Sequence, residues 1–283
     1  MRVSEHEQQE SLSALRASDG YQLRYRVWPG TRAEPAGTLV LLNGIMSNSA
    51  WFSPLVPRLE HLRVVGADRR GSGPNDDARG DAPSAGQLVD DVLAIIEAEH
   101  APGRPLVLLG WCWGAALAVA VAHQLGERLD GLVLVTPGLF PTGAVKQAVA
   151  DQSERIERAA ADDPVVQSPI REEMFTVGPA LDSFVRMDAR RVQRMTPRML
   201  EVSNKLATLA VARLGRLHVP VSLVLADDDE ATDNEATRRA FARIAADRLE
   251  VVELSSKHGV QFDAPEELAR TLDAFVRRVR ERT

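Results

Sequence analysis

The chain has a single cysteine, set between two glycines where an apolar run ends: Leu106-Val107-Leu108-Leu109-Gly110-Trp111-Cys112-Trp113-Gly114. The alanine-rich stretch of residues 115–122 follows. A β-branched and leucine run, a glycine, one polar residue between bulky ones and a second glycine read as strand, sharp turn and buried helix. This is the G-x-nucleophile-x-G elbow, with cysteine where serine is usual. The nucleophile of such a turn is held in a strained backbone conformation. Side chains two residues to either side would collide with it, so both flanking positions call for glycine. The first amides of the following helix are unpaired donors, and its dipole adds partial positive charge. Together they favour a thiolate at Cys112 and can hold an oxyanion. A lone cysteine in a core strand is otherwise only a small apolar filler. The glycine pair, and candidate partners further along the chain, argue for chemistry.

Composition limits the setting. The 283 residues suit one large α/β domain, or one with an insertion, with ample core. A net charge of −6 and the absence of an evident lysine- or arginine-rich face argue against nucleic acid as a partner. One cysteine excludes an internal disulfide and fits a reducing compartment. The acidic first thirty residues do not resemble a signal peptide, and no apolar run of about eighteen residues predicts a membrane span. A cytoplasmic protein is expected.

The elements that must position the elbow follow in order. Residues 1–12 are polar and expected to fray. Residues 14–28 read as a hairpin turning at Ser18-Asp19-Gly20. Residues 38–42 form a short apolar strand ending at Asn43-Gly44, residues 51–62 a helical pattern, and residues 63–66 a strand. A glycine-rich loop follows, Asp68-Arg69-Arg70-Gly71-Ser72-Gly73. Ser84 caps a helix running to Ala98. After the elbow, residues 131–135 are another strand. Strand and helix alternate at the spacing of right-handed crossovers, which predicts a mostly parallel sheet. From residue 138 to about 215 the pattern becomes helical, mixed in polarity and without a clear strand. The rhythm then resumes with strands over 219–226 and 249–254 and helices over 234–246 and 265–279. The expected organisation is a core of residues 1–137 and 215–283, with 138–214 inserted as a helical cap over the sheet's carboxyl edge.

Taken together, these segments resemble the α/β-hydrolase superfamily, in its capped esterase, lysophospholipase and aminopeptidase-like branch. The resemblance covers nearly the whole chain and is most specific at the elbow. It implies the order nucleophile, acid, histidine. The histidine is then His258, in Ser255-Ser256-Lys257-His258-Gly259, where a loop after the last strand lets the imidazole reach back over the sheet edge. His6, His61, His100, His123 and His218 lie in the tail, at helices or on the opposite edge. The resemblance implies Asp229 as the acid, three residues beyond Ala226, with Asp228 and Asp227 behind it; Asp233 reads better as a helix cap. It implies an oxyanion hole from the amides of Trp113 and Ile45, the latter in Asn43-Gly44-Ile45-Met46, where the family has His-Gly. Ser47 and Ser72 sit in no elbow and read as turn residues. Asp68 and Arg70 resemble a family loop that braces the site's rim. Trp111 is expected to pack between sheet and helix. Trp113 is expected to line an acyl pocket with Met46, Phe140 and the methionine-rich cap, in particular Met174 and Phe175.

The chemistry expected is acyl transfer through a thioester acyl-enzyme, without metal or cofactor. Thiolate is a good leaving group, so thioesters, lactones and other activated carbonyls are better donors than plain esters. The acyl group can pass to water, an amine or a thiol. The expected partner is a small acyl substrate, free or carrier-bound. Cysteine elbows also resemble those of dienelactone-hydrolase-like enzymes and some thioesterase domains of natural-product assembly, at the elbow alone. The contrasting expectation is a non-catalytic relative that binds a small apolar ligand or partner through the cap.

Overall fold

Short apolar runs bounded by glycine, asparagine or proline become strands buried on both faces, as a parallel sheet requires. The computed structural model describes residues 10–78 and 82–281, so the expectation for residues 1–12 falls mostly outside the described residues. In chain order the strands are β1 (Ser11–Arg16), β2 (Gln22–Trp28), β3 (Thr38–Leu42), β4 (Arg63–Gly66), β5 (Leu106–Trp111) and β6 (Gly131–Val135). The short β7 (Val166–Gln167) and β8 (Arg194–Met195), then β9 (Val221–Ala226) and β10 (Leu249–Leu254), complete them. The helices are α1 (Ala85–Glu99), α2 (Gly114–Leu125), α3 (Gly143–Ala150), α4 (Ser153–Arg158), α5 (Pro197–Arg213), α6 (Asn234–Phe241), α7 (Val260–Asp263) and α8 (Pro265–Arg280).

Eight strands form one sheet in the order β1-β2-β4-β3-β5-β6-β9-β10. It is parallel from β4 to β10, and the hairpin β1–β2 adds antiparallel strands at one edge. The mostly parallel α/β architecture is therefore as expected. The elbow strand β5 lies between β3 and β6, so three carboxyl ends converge at Cys112. Every residue of β3, β5, β6 and β9 is buried. The alanines of α2 allow close approach to the sheet on one side and to α5 on the other. Ser84 caps α1 by accepting from the Gln87 amide at 3.1 Å.

Two expectations need correction. Residues 51–62 do not form one helix but two 3₁₀ turns, Ser49–Phe52 and Val56–Arg58. Pro54 and Pro57 cannot donate the amides that an α-helix would need there. The segment 138–214 does contain extended structure, the two-residue pair β7–β8. That segment also holds α3, α4, a π-helical turn over Leu181–Arg186, and α5, which packs against α2 and α1.

Candidate active site

The elbow is built as its glycines require. Cys112 has φ +54°, a left-handed conformation uncommon for a residue with a side chain. A Cβ on Gly114 would come within 2.1 Å of the Leu42 carbonyl oxygen, and one on Gly110 within 2.6 Å of the Gly114 carbonyl oxygen. Strand, turn and helix can pack this closely only without those carbons. The turn is tied on both sides. The Cys112 amide donates to Val135 O at 3.0 Å, and its carbonyl accepts from Ala115 N at 3.1 Å and Gly138 N at 2.9 Å.

His258 and Asp229 meet beside it. Asp229 Oδ1 and Oδ2 lie 3.0 and 3.1 Å from His258 Nδ1. Oδ1 also accepts the amides of Ala231 and Thr232, at 2.8 and 3.1 Å. Both side chains are almost fully buried. Asp227 instead accepts the Ser256 amide at 2.9 Å, and Asp228 is exposed near Lys257. Asp233 caps α6 through the Ala236 amide. Among the described residues, then, Asp229 is the aspartate of the run that touches the imidazole.

Backbone bonds fix the His258 loop. Its amide donates to Met174 O at 3.1 Å, and its carbonyl accepts from Trp111 Nε1 at 3.0 Å and Thr136 Oγ1 at 3.3 Å. The Trp111 and His258 rings lie 5.7 Å apart. Trp111 thus does more than fill space: it holds the loop that carries the imidazole. Nε2 of His258 is buried, with no partner of good hydrogen-bond geometry among the described residues. Burial opposes the imidazolium. The Asp229 carboxylate and, after it, Cys112 outweigh burial, so the His258 pKa is raised well above the ordinary imidazole value. Burial likewise opposes ionised Asp229, but His258 and the two amides hold its pKa below the usual carboxylate range.

The loop after β3 faces the elbow. Asn43 Nδ2 donates to Gly44 O and Ser47 O, at 3.0 and 2.6 Å, closing the loop in which the resemblance has histidine. Arg69 donates to Ile45 O and stacks over the Trp113 ring at 5.6 Å. Among the described residues the amides of Ile45 and Trp113 have no acceptor. Asp68 holds the Ser49 amide and pairs with Arg26 at 3.0 Å, while Arg70 bridges Asp91 and Asp19, so this loop braces the rim. Ser47 and Ser72 donate to local carbonyls as turn residues do.

A small cavity of about 20 Å³ adjoins Cys112 and His258 and is lined by Gly44, Ile45, Met46, Ser47, Trp51, Trp111, Ser168, Ile170, Phe175 and Arg191. Met46 and Phe175 line it. Phe140 and Met174 do not: Phe140 is partly buried and its carbonyl receives the Asp233 amide, while Met174 is buried and serves His258 through its carbonyl. Trp113 is buried against Arg69 and is also outside the lining. Trp51, Ser168, Ile170 and Arg191 were not anticipated. Trp51 alone had a visible signal, as a tryptophan just after the Asn43-Gly44 loop. Of the rival histidines, His61 pairs with Asp273 at 3.2 Å, His100 lies 3.4 Å from Thr38 Oγ1, and His6 is outside the described residues. Among the described residues no three His, Cys, Asp or Glu side chains gather to hold a metal, and no helix is long and apolar enough to cross a membrane.

Comparison with known proteins bears on this arrangement. The profile of the Hydrolase_4 family, described as serine aminopeptidase, S33, matches residues 33–263. Phospholipase YtpA of Bacillus subtilis is 24% identical over 244 residues, spanning 85% of this chain and 94% of that protein. Human monoglyceride lipase is 28% identical over 132 residues, 45% of this chain and 43% of that one. A soluble variant of monoglyceride lipase from Saccharomyces cerevisiae, solved with a substrate analog, superposes with a TM-score of 0.77 at 16% identity. That match covers 96% of this chain and 95% of that one.

Proposed function

This chain belongs to the Hydrolase_4 (serine aminopeptidase, S33) family of α/β-hydrolases, and from that premise we propose that it is an acyl hydrolase or acyltransferase with Cys112 as nucleophile. His258 Nε2 takes the thiol proton, and Asp229 holds the ring with its proton on Nδ1. The sulfur attacks the carbonyl carbon, and the amides of Ile45 and Trp113 receive the oxyanion. Collapse expels the alkoxide or thiolate, which leaves with the proton from His258 and gives a thioester on Cys112. Water, an amine or a thiol then attacks, losing its proton to His258, and the thiol is regenerated. Residues 138–214 act as the cap over this chemistry.

The observation that carries the reading is the contact of buried Asp229 with His258 at 3.0 Å, with the ring's other nitrogen unpartnered beside Cys112. Activated esters and thioesters suit a thiol nucleophile, and the ester and lipid substrates named for the relatives fall in the same class of carbonyl. The test is intact-protein mass after incubation with acyl thioesters and aryl esters. We expect a single acyl adduct, absent in Cys112→Ala and suppressed in His258→Ala. Activity in Cys112→Ala within about tenfold of the parent would exclude the covalent route, since losing a nucleophile costs several orders of magnitude. No adduct and no turnover with any donor would favour a binding protein.

A further inference from the structure

Three consecutive charged residues, Asp68-Arg69-Arg70, follow β4 and diverge. Asp68 turns to Arg26 and Ser49, and Arg70 to Asp19 and Asp91. Arg69 reaches the two segments that carry the proposed oxyanion donors. We infer that Arg69 is a positioning residue of the oxyanion hole, one guanidinium holding the Ile45 loop and the Trp113 turn in fixed relation. This deepens the acyl-transfer reading and rests on it.

The contacts carry the inference. Arg69 is buried, and its Nη2 donates to Ile45 O, the carbonyl of the residue whose amide is one proposed donor. Among the described residues no other group donates to that carbonyl. The Arg69 Cζ lies 5.6 Å from the centre of the Trp113 ring, within cation–π range, and Trp113 supplies the second amide. A planar guanidinium can donate along its edge while presenting its face to an indole, which an ammonium cannot match. Arg69 is itself pinned. Its carbonyl accepts from Ser72 N and Ser72 Oγ, both at 3.2 Å. Its Nη1 reaches Arg70 O at 3.4 Å and Met199 Sδ at 3.7 Å.

The grip completes the fixing of Ile45. The peptide that carries the Ile45 N–H is held through its carbonyl, Gly44 O. That oxygen accepts Asn43 Nδ2 and Ser47 Oγ, each at 3.0 Å, and Ser47 N at 3.2 Å. The next peptide, from Ile45 to Met46, is held through its carbonyl by Arg69. With both planes set, the two soft dihedrals of Ile45 are set, and the direction of its N–H with them. Oxyanion holes tolerate little error: a lost donor costs about 10²–10³ in rate, and a misplacement of about 1 Å about 10².

Two reactions of Cys112 separate the oxyanion hole from the thiol. Acylation by 4-nitrophenyl acetate, followed as the burst of 4-nitrophenol, develops charge on a carbonyl oxygen. Methyl methanethiosulfonate has no carbonyl: the thiolate attacks its sulfenyl sulfur, methanesulfinate leaves, and a methyl disulfide forms on Cys112. The readout is the ratio of the two rate constants, acylation to thiolation, taken on one preparation of each protein. Arg69→Met and Arg69→Gln should each lower the ratio about ten- to hundredfold, with thiolation within about threefold of the parent. Arg69→Lys, which keeps a cation and a donor, should lie between. An unchanged ratio in whichever neutral variant folds overturns the inference. So does equal loss in Arg69→Lys and the neutral variants, which places the effect in packing. Thiolation slowed in parallel with acylation also overturns it, because Arg69 then supports the thiol and not the oxyanion. Should neither neutral variant fold, Arg69→Lys decides alone: a ratio lowered at least about threefold supports the inference, and an unchanged one overturns it. No acylation of the parent, with thiolation intact, overturns the acyl-transfer reading itself and this inference with it.

Discussion

Replacing Asp229 by Asn tests the proposed site at its most determinate point. In the structure Oδ1 accepts two backbone amides, from Ala231 and Thr232, whereas Oδ2 contacts only His258 Nδ1. The asparagine oxygen must therefore stay at the Oδ1 position. Its NH₂ then falls where Oδ2 stood, 3.1 Å from Nδ1, donor against donor. The ring escapes by moving its proton to Nε2, the nitrogen that has to accept the Cys112 proton. The negative charge that offsets burial of the imidazolium is lost as well. The same substitution at a Ser-His-Asp triad costs about 10⁴ in rate, roughly 5 kcal/mol of transition-state stabilisation. A loss of that order in kcat/KM on a 4-nitrophenyl ester is expected, with the melting temperature little changed because size and both amide bonds are preserved. The sign of the titration follows too. With the carboxylate gone, the largest of the contributions that offset burial is lost, so the His258 pKa falls relative to the parent, which imidazole proton shifts followed by NMR against pH would register. Asp227→Asn keeps an acceptor for Ser256 N–H, and Asp228 is solvent-exposed, so each of those variants should stay within about threefold of the parent. Asp229→Asn within tenfold of the parent, or Asp227→Asn equally damaged, would refute the assignment.

Two further outcomes follow from the elbow. Gly114→Ala presses a methyl to 2.1 Å from the Leu42 carbonyl oxygen and should cost at least about 3 kcal/mol, a fall of roughly 5 °C in Tm, whereas Gly143→Ala meets nothing within 4 Å and should leave Tm unchanged or raised; calorimetry of both decides. Cys112→Ser keeps the elbow but replaces a thioester by an oxygen ester, which aminolyses far less readily. With an acceptor amine present, the ratio of transferred to hydrolysed product should therefore fall, and an unchanged ratio would show that the thiol does not govern the fate of the acyl group.

What the sequence made legible was whatever depends on local pattern. Residues 38–42 and 131–135 are strands as read, since a buried parallel strand is a short apolar run cut off by a turn residue; 249–254 is also a strand as read, but a partly exposed one at the sheet edge. The helical pattern over 51–62 gives way to 3₁₀ turns because Pro54 and Pro57 lack the amides an α-helix needs. The choice of Asp229 came from family resemblance, since nothing intrinsic separates it from Asp227 and Asp228. Direction along a turn decides which carboxylate enters, and direction is a tertiary fact. Phe140 and Met174 were expected in the pocket on residue type. Their contributions are carbonyl oxygens that accept the amides of Asp233 and His258, and side-chain identity carries no signal for that. Arg191 and Ser168 lie in a stretch without periodicity, and only the fold brings them to the cavity beside the thiol.

The hydrogen bonds also define what has to move together. His258 is held through its carbonyl by Trp111, which is part of the elbow strand itself, and by Thr136 at the end of β6. Cys112 and His258 therefore share one frame, the carboxyl ends of β5 and β6. Residues 174–192 are not independent of that frame: the Met174 carbonyl receives the His258 amide, and the Val192 amide donates to Met46 O in the loop after β3. A large displacement of residues 174–192 would break the bond to His258, the bond to the loop after β3, or both. If Cys112 and His258 act as proposed, the position of residues 174–192 is thus tied to their alignment through backbone bonds that side-chain substitution alone does not remove.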